Sequence, residues 1–93
     1  MVKHSKIYAY KLERHIKGVA NHWRIEILIL VADQEGITLD QISELLDCDF
    51  KNTSQHTKRL VEAGLINKKH SGTNVEHFLS PYGKLFYKFI KSF

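Results

Sequence analysis

Residues 50–66 read FKNTSQHTKRLVEAGLI, the most informative segment of the chain. With about 100° of rotation per residue, its side chains separate onto two sides of a helix. The polar and largely cationic side is centred on Gln55 and includes Lys51, Asn52, Lys58, Arg59 and Glu62. The opposite side carries Phe50, Thr53, Thr57, Leu60, Val61 and Gly64. The pattern predicts a helix over residues 50–63 that packs inward through the second side and presents the first side to solvent.

Three further helices are predicted before this stretch. Apolar residues at helical spacing indicate a first helix over residues 6–19, ending near Gly18. Residues 23–32 are apolar on nearly every side, which predicts a buried central helix. Thr38, with a glutamine three residues later, forms a capping-box pattern that begins a short third helix.

A hairpin and a last helix are predicted after it. Residues 65–69 and 75–79 can be extended, and the five residues 70–74 between them are rich in turn formers. Ser80 and Pro81 then supply an N-cap and a first-turn proline. The apolar stripe of this last helix comprises Tyr82, Leu85, Phe86, Phe89, Ile90 and Phe93. The order α-α-α-α-β-β-α is mainly α with a small β-hairpin, the plan of a winged helix-turn-helix.

Length and composition limit the alternatives. The chain has 93 residues, of which 43% are hydrophobic and 26% charged, so residues 1–93 form a single domain. Its longest apolar run covers residues 27–32, far below the roughly 20 residues of a membrane span. The N-terminus lacks a secretory signal pattern, so we expect a cytoplasmic protein without a membrane partner. The lone Cys48 excludes an internal disulfide and a cysteine-cluster zinc site.

Charge is distributed unevenly along the chain. The net charge is +4, but residues 33–49 contain six acidic and no basic residues, whereas residues 50–93 contain eight basic and two acidic ones. Such asymmetry can direct a polyanion to one surface. An acidic helix that is simply solvated is the alternative, and we expect the acidic block to face away from any bound DNA.

The central stretch resembles a known signature. Residues 52–66 are similar to the recognition helix of ArsR-type and MarR-type transcriptional regulators. The matching positions are Ser54, His56, Leu60, Ala63, Gly64 and Leu65. Residues 24–28 resemble the buried second helix of these regulators, and residues 69–78 resemble their wing. The resemblance spans about residues 21–83 and implies a DNA-binding, dimeric, winged helix-turn-helix protein.

The chain also departs from these families. Thr57 stands where they usually have a buried leucine. Metal-sensing ArsR members carry paired cysteines in the third helix, whereas this chain offers only Cys48 there. No pair among the six histidines has a dependable ligand spacing. We therefore predict no metal, no cofactor and no catalytic site.

The candidate DNA contacts follow from the chemistry of base edges and phosphates. Amides such as Gln55 suit adenine, and Arg59 suits guanine or a phosphate. On the fourth helix the predicted contacts are Lys51, Asn52, Ser54, Gln55, His56, Lys58 and Arg59. In the hairpin, where a merely solvated tip is the alternative, they are Lys68, Lys69, His70, Thr73 and Asn74.

The first and last helices provide the candidate dimer interface, because one thin domain cannot cover both of their apolar stripes. The predicted interface residues are Ile7, Tyr8, Leu12, Tyr82, Leu85, Phe86, Phe89, Ile90 and Phe93. The expected function is a sequence-specific transcriptional regulator, a repressor, that binds double-stranded DNA as a homodimer at a pseudo-palindromic operator. The alternatives are a winged-helix module that binds a protein partner and a non-specific chromatin-architecture protein.

Overall fold

The computed structural model describes residues 5–93, which form five helices and one two-stranded antiparallel sheet. The elements are α1 (Ser5–Val19), α2 (His22–Asp33), α3 (Leu39–Leu46), α4 (Phe50–Glu62), β1 (Ile66–Ser71), β2 (Asn74–Leu79) and α5 (Pro81–Lys91). This order confirms the predicted arrangement of helices and hairpin. The molecule is elongated, measuring 47 × 29 × 22 Å.

Local capping fixes the turn between α3 and α4. Thr38 and Gln41 form both hydrogen bonds of the capping box at the start of α3. Asp47 ends α3 in the left-handed region at φ 51°, and the Asp49 side chain then accepts a hydrogen bond from the Asn52 N–H at 2.9 Å. The two helices are thus joined by three residues, so α3 determines where α4 begins.

The core lies where α2, α3, α4 and the base of the hairpin meet. Its fully covered side chains include Leu28, Ile42, Leu60 and Leu65. On α4 the predicted inner side is confirmed at Thr53, Thr57 and Leu60, which are all buried. It is wrong at Phe50, whose side chain is 51% exposed. Helical side chains point toward the N-terminus, so the first residue of α4 projects beyond the helices that could cover it.

The hairpin is tighter than the sequence predicts. Cross-strand pairs run from Ile66 with Leu79 to Ser71 with Asn74, leaving only Gly72 and Thr73 in the turn. The predicted five-residue loop 70–74 is therefore wrong. Gly72 has φ 62°, which glycine adopts without the steric cost of a Cβ atom, and such two-residue turns match the twist of paired strands.

Helix α1 contacts the end of α4 at close range. A Cβ atom at Gly18 would collide with the Cβ of Ala63, so a glycine lets the two helices approach. The Arg14 guanidinium donates to the Glu62 carbonyl through Nε at 3.2 Å and Nη2 at 2.7 Å. The His15 ring donates from Nδ1 to the Ala63 carbonyl. Side chains of α1 therefore satisfy the C-terminal carbonyls of α4.

Candidate nucleic-acid interface

The solvent side of α4 forms a polar ridge. We call Lys51, Asn52, Gln55, Lys58 and Arg59 the α4 ridge; all five are exposed. The neighbouring predicted contacts Ser54 and His56 are half-buried. The structure thus brings the predicted helix contacts together along one helix side.

The opposite side of α4 holds the ridge in place. Thr53 and Leu60 are completely buried, and the Thr57 side chain is 2% exposed. The Thr53 hydroxyl also donates to the Cys48 carbonyl at 3.4 Å. Because three successive turns of α4 are anchored, the ridge side chains project from a fixed backbone, as a rigid binding element requires.

The N-terminal turn of α4 already carries a carboxylate. Besides accepting from the Asn52 backbone, Asp49 accepts from the Asn52 side-chain amide at 2.7 Å. These hydrogen bonds lower the pKa of Asp49, because they stabilise its charged form. The Asn52 side chain is therefore hydrogen-bonded within the cap of its own helix. Because the Asp49 carboxylate occupies this helix end, it attracts a phosphate less strongly than an end with free backbone amides would.

The junction of α2 and α4 places a further cationic side chain, Arg24, beside the three cations of the α4 ridge. Arg24 Nη1 lies 3.4 Å from the His56 Nδ1, and Arg24 is close enough to Arg59 for the two charges to repel. Burial and, secondarily, the Arg59 charge lower the pKa of Arg24. Burial also lowers the pKa of His56, followed by the charges of Arg24, Arg59 and His22. The sequence analysis missed Arg24, although a lone arginine in an apolar segment is a signal for it.

The wing residues do not all face one way. Lys68, Lys69, His70, Thr73 and Asn74 are all exposed. Successive side chains of a strand point to opposite sides of the sheet. Lys69 therefore lies opposite Glu76 on one side, whereas Lys68 and His70 share the other side with the buried His77.

The terminal helices leave an apolar groove open. It has a volume of about 970 Å³ and is lined mainly by α1, the start of α2, and α5. Of the predicted interface residues, Leu12, Phe86 and Ile90 are half-buried, while Ile7, Tyr8, Tyr82, Leu85, Phe89 and Phe93 are exposed. Helices α1 and α5 meet at His15 and Tyr82, whose ring centroids are 4.6 Å apart. We call this surface the terminal-helix groove.

The described part of the chain contains neither a cluster of metal ligands nor a membrane-spanning helix. Across residues 5–93, no three histidine, cysteine, aspartate or glutamate side chains come together as metal ligands would. Within the same residues, no helix is both long enough and apolar enough to cross a membrane.

A family model described as HVO_A0114 matches residues 19–85, which is well over half of the chain. The chain belongs to the HVO_A0114 family. The match begins at the end of α1 and includes α4, the hairpin and the first half of α5. No curated protein is significantly similar to this HVO_A0114 member in sequence.

Solved structures share its whole architecture. Reduced HlyU from Vibrio cholerae N16961 is 26% identical, with a TM-score of 0.84 over 99% of this chain and 96% of that one. The homodimeric winged helix-turn-helix DNA-binding domain of Mb0332 from Mycobacterium bovis, a possible ArsR-family regulator, is 19% identical, with a TM-score of 0.85 over 99% and 85% of the two chains. A MarR transcriptional regulator from Methanosarcina mazei Go1 is 21% identical, with a TM-score of 0.73 over 95% and 63%.

At the level of the fold, these neighbours confirm the resemblance to ArsR-type and MarR-type regulators. They establish that this HVO_A0114 chain has the winged helix-turn-helix fold, in which α3 and α4 are the helix-turn-helix and β1 and β2 are the wing.

Proposed function

We propose that this protein is a sequence-specific DNA-binding transcriptional regulator that inserts α4 into the major groove. The observation that carries the proposal is the α4 ridge, which is exposed while Thr53, Thr57 and Leu60 on the other side of the same helix are buried. A major groove admits one α-helix, and Gln55 at the centre of the ridge suits paired hydrogen bonds to adenine. Lys51, Lys58 and Arg59 supply charge to the flanking phosphates.

The terminal-helix groove supports a homodimer. A monomer leaves Leu85 61% and Phe89 59% exposed beside the open groove, and a second copy would cover them. The Mycobacterium bovis domain with the same fold is homodimeric. Two-fold symmetry would set two α4 helices about one DNA turn apart, roughly 34 Å, and favour a pseudo-palindromic operator. The dimer would repress by occupying that operator, and it would do so in the cytoplasm.

Selection from randomised duplexes tests sequence specificity. Purified protein should enrich a motif with two inverted half-sites. Gln55→Ala should relax preference at one base position per half-site at a cost of about 1–3 kcal/mol. Lys69→Ala is the matched control, since losing a wing cation should weaken all sequences alike.

The outcomes separate the rival functions. Tight binding without an enriched motif would indicate a chromatin-architecture protein. Binding no stronger than that of any small basic protein would indicate a protein-binding module. Either result would reject sequence-specific regulation.

A further inference from the structure

A polar cleft lies where α1, α2 and α4 meet. Its volume is about 190 Å³, and it opens beside the α4 ridge. The cleft is lined by Arg14, Lys17, Gly18, Arg24, Arg59, Glu62 and Ala63. We call it the Arg24 cleft; four of its seven lining residues are cationic and one is acidic.

Among the described residues, only one of these four cations has a counterion, and Arg24 and Arg59 have neither a counterion nor a close carbonyl partner. Lys17 pairs with Glu13 at 3.3 Å, and Arg14 is bound to the Glu62 carbonyl. Within residues 5–93, no carboxylate lies within 4 Å of Arg24 or Arg59. Glu62 lines the same cleft without pairing to either of them. Like charges held together without a counterion form a site that an anion would stabilise.

Arg24 also has unused hydrogen-bonding capacity. Its Nε is buried and has no partner among the described residues, and its Nη2 reaches the Lys17 carbonyl only at 3.5 Å. Burial and the nearby Arg59 charge lower its pKa, which reflects the cost of keeping this cation without an anion. Guanidinium groups match phosphate oxygens through paired donors.

His56 contacts Arg24 but is not part of the lining of the cleft. A guanidinium can only donate, so the contact at 3.4 Å requires the His56 Nδ1 to accept from Arg24. The ring proton then lies on Nε2, which has no hydrogen-bond partner among the described residues. Arg24 thereby positions His56 as a neutral N–H donor.

We propose that the Arg24 cleft binds one backbone phosphate of duplex DNA between Arg24 and Arg59, beside the bases that α4 contacts. This inference rests on the proposed DNA-binding function. Arg59 belongs both to the cleft and to the α4 ridge, one helical turn beyond Gln55, so an anion in the cleft is adjacent to the groove-facing side chains. That continuity favours a phosphate of the bound duplex over a free anion.

A double-variant cycle tests the cleft by DNA affinity over a salt series, using fluorescence anisotropy with a labelled duplex. Arg24→Gln and Arg59→Gln should each weaken binding on the order of tenfold and reduce the salt slope by about one. The double variant should be no more than about twofold weaker than either single variant, because both arginines hold the same phosphate. Glu62→Gln should tighten binding, since it removes the only carboxylate that lines the cleft.

The controls keep the outcome interpretable. Lys84→Gln removes one exposed charge on α5, outside the cleft, and should leave both affinity and salt slope unchanged. Arg24→Lys keeps the charge but loses the paired donors, so it replaces Arg24→Gln in the cycle if circular dichroism shows that the glutamine variant is unfolded. It should lose about threefold in affinity and still show non-additivity with Arg59→Gln.

Three results would overturn the inference. If the Arg24→Gln variant binds DNA as tightly as the Lys84→Gln variant does, the cleft does not bind a phosphate, and the proposed function is unaffected. If the wild type shows no salt-dependent DNA binding, both fall together. If NMR of the His56 ring shows saturation by sub-millimolar inorganic phosphate while Arg24 variants bind DNA normally, the cleft serves a free anion instead.

Discussion

Helix α4 and helix α5 are both amphipathic, but they expose opposite sides. Helix α4 buries Thr53 and Leu60 completely and leaves its charged ridge in solvent. Helix α5 leaves Leu85 and Phe89 largely exposed, and Phe93, just beyond its end, is 93% exposed. Helix α4 buries its apolar side within one chain, whereas helix α5 exposes apolar side chains that water solvates poorly. The two helices are therefore suited to different partners, a polyanion for α4 and an apolar surface for α5.

The largest expected effect is on the apolar side. In a two-fold dimer, Phe89→Glu would replace a buried ring by a charge in both copies. It should weaken dimerisation by about 3–6 kcal/mol. Sedimentation equilibrium at micromolar concentration should therefore show a monomer. Lys51→Glu is the control, because it adds the same carboxylate to the α4 ridge. It should remain dimeric but lose DNA affinity. A wild-type monomer, or a dimeric Phe89→Glu variant, would contradict the proposed assembly.

Next in size is the buried side of α4. Leu60→Ala should reduce the free energy of unfolding by about 2–5 kcal/mol, since it removes a fully covered side chain from the core. Urea unfolding followed by circular dichroism, at one fixed protein concentration, measures this loss. Lys58→Ala, two residues away on the ridge, should change stability by less than about 0.5 kcal/mol. Equal losses in the two variants would show that α4 is not divided into a packed and a solvent side.

A smaller effect, an increase in the free energy of unfolding, is expected at Thr57. Its hydroxyl is buried and has no hydrogen-bond partner among the described residues. Thr57→Val replaces that hydroxyl by a methyl group and should raise the free energy of unfolding by about 1 kcal/mol. The same urea experiment tests it, with Thr73→Val at the exposed hairpin tip as the control. A destabilised Thr57→Val variant would indicate that the hydroxyl is satisfied in solution.

The sequence could predict what is local and could not predict what depends on distant contacts. The N-cap at Thr38 and the helix start at Ser80 and Pro81 were predictable, because a cap involves residues within three positions of one another. Gly18 was expected to end α1, and the helix does end one residue later, but its role is the close approach to Ala63 across the fold. The exposure of Phe50 depends on where the neighbouring helices stop, which no periodicity reveals.

The candidate site divides in the same way. Helical rotation alone placed the α4 ridge on one side, so its side chains were predictable as a group. Arg24 was assigned to a buried helix, and only the packing of α2 against α4 brings it beside His56. The engagement of Asn52 with Asp49 was equally hidden, because a cap and a base contact require the same residue types.

The smallest expected effect is a loss of folding stability at low pH. It originates at His77, which lies at the base of the wing. His77 is 1% exposed, and burial lowers its pKa, partly opposed by its hydrogen bond to the Ile37 carbonyl and reinforced by the Lys68 charge. The unfolded chain, with a histidine pKa near 6.5, therefore takes up this proton first. Stability should be complete above about pH 6.5 and fall as the pH drops toward the folded-state value.

Urea midpoints at pH 7.5, 6.5 and 5.5 measure this dependence. The His77→Gln variant should be less stable at pH 7.5, but its urea midpoint should fall less steeply with decreasing pH. His70→Gln, at an exposed position on the neighbouring strand β1, is the control. His56 shifts in the same direction and contributes part of the slope. A His77→Gln variant that keeps the full decline would exclude His77 as its origin.

The hydrogen bonds from Arg14 and His15 to the last carbonyls of α4 span 48 residues of sequence. During synthesis these side chains leave the ribosome well before their acceptors exist, so the Glu62 and Ala63 carbonyls gain these partners only after α4 has packed onto α1. A fragment trimmed to the matched residues 19–85 would lose more than an assembly surface. It would also leave the Glu62 and Ala63 carbonyls without their side-chain donors, so the end of the helix that precedes the wing should fray more readily than in the full chain.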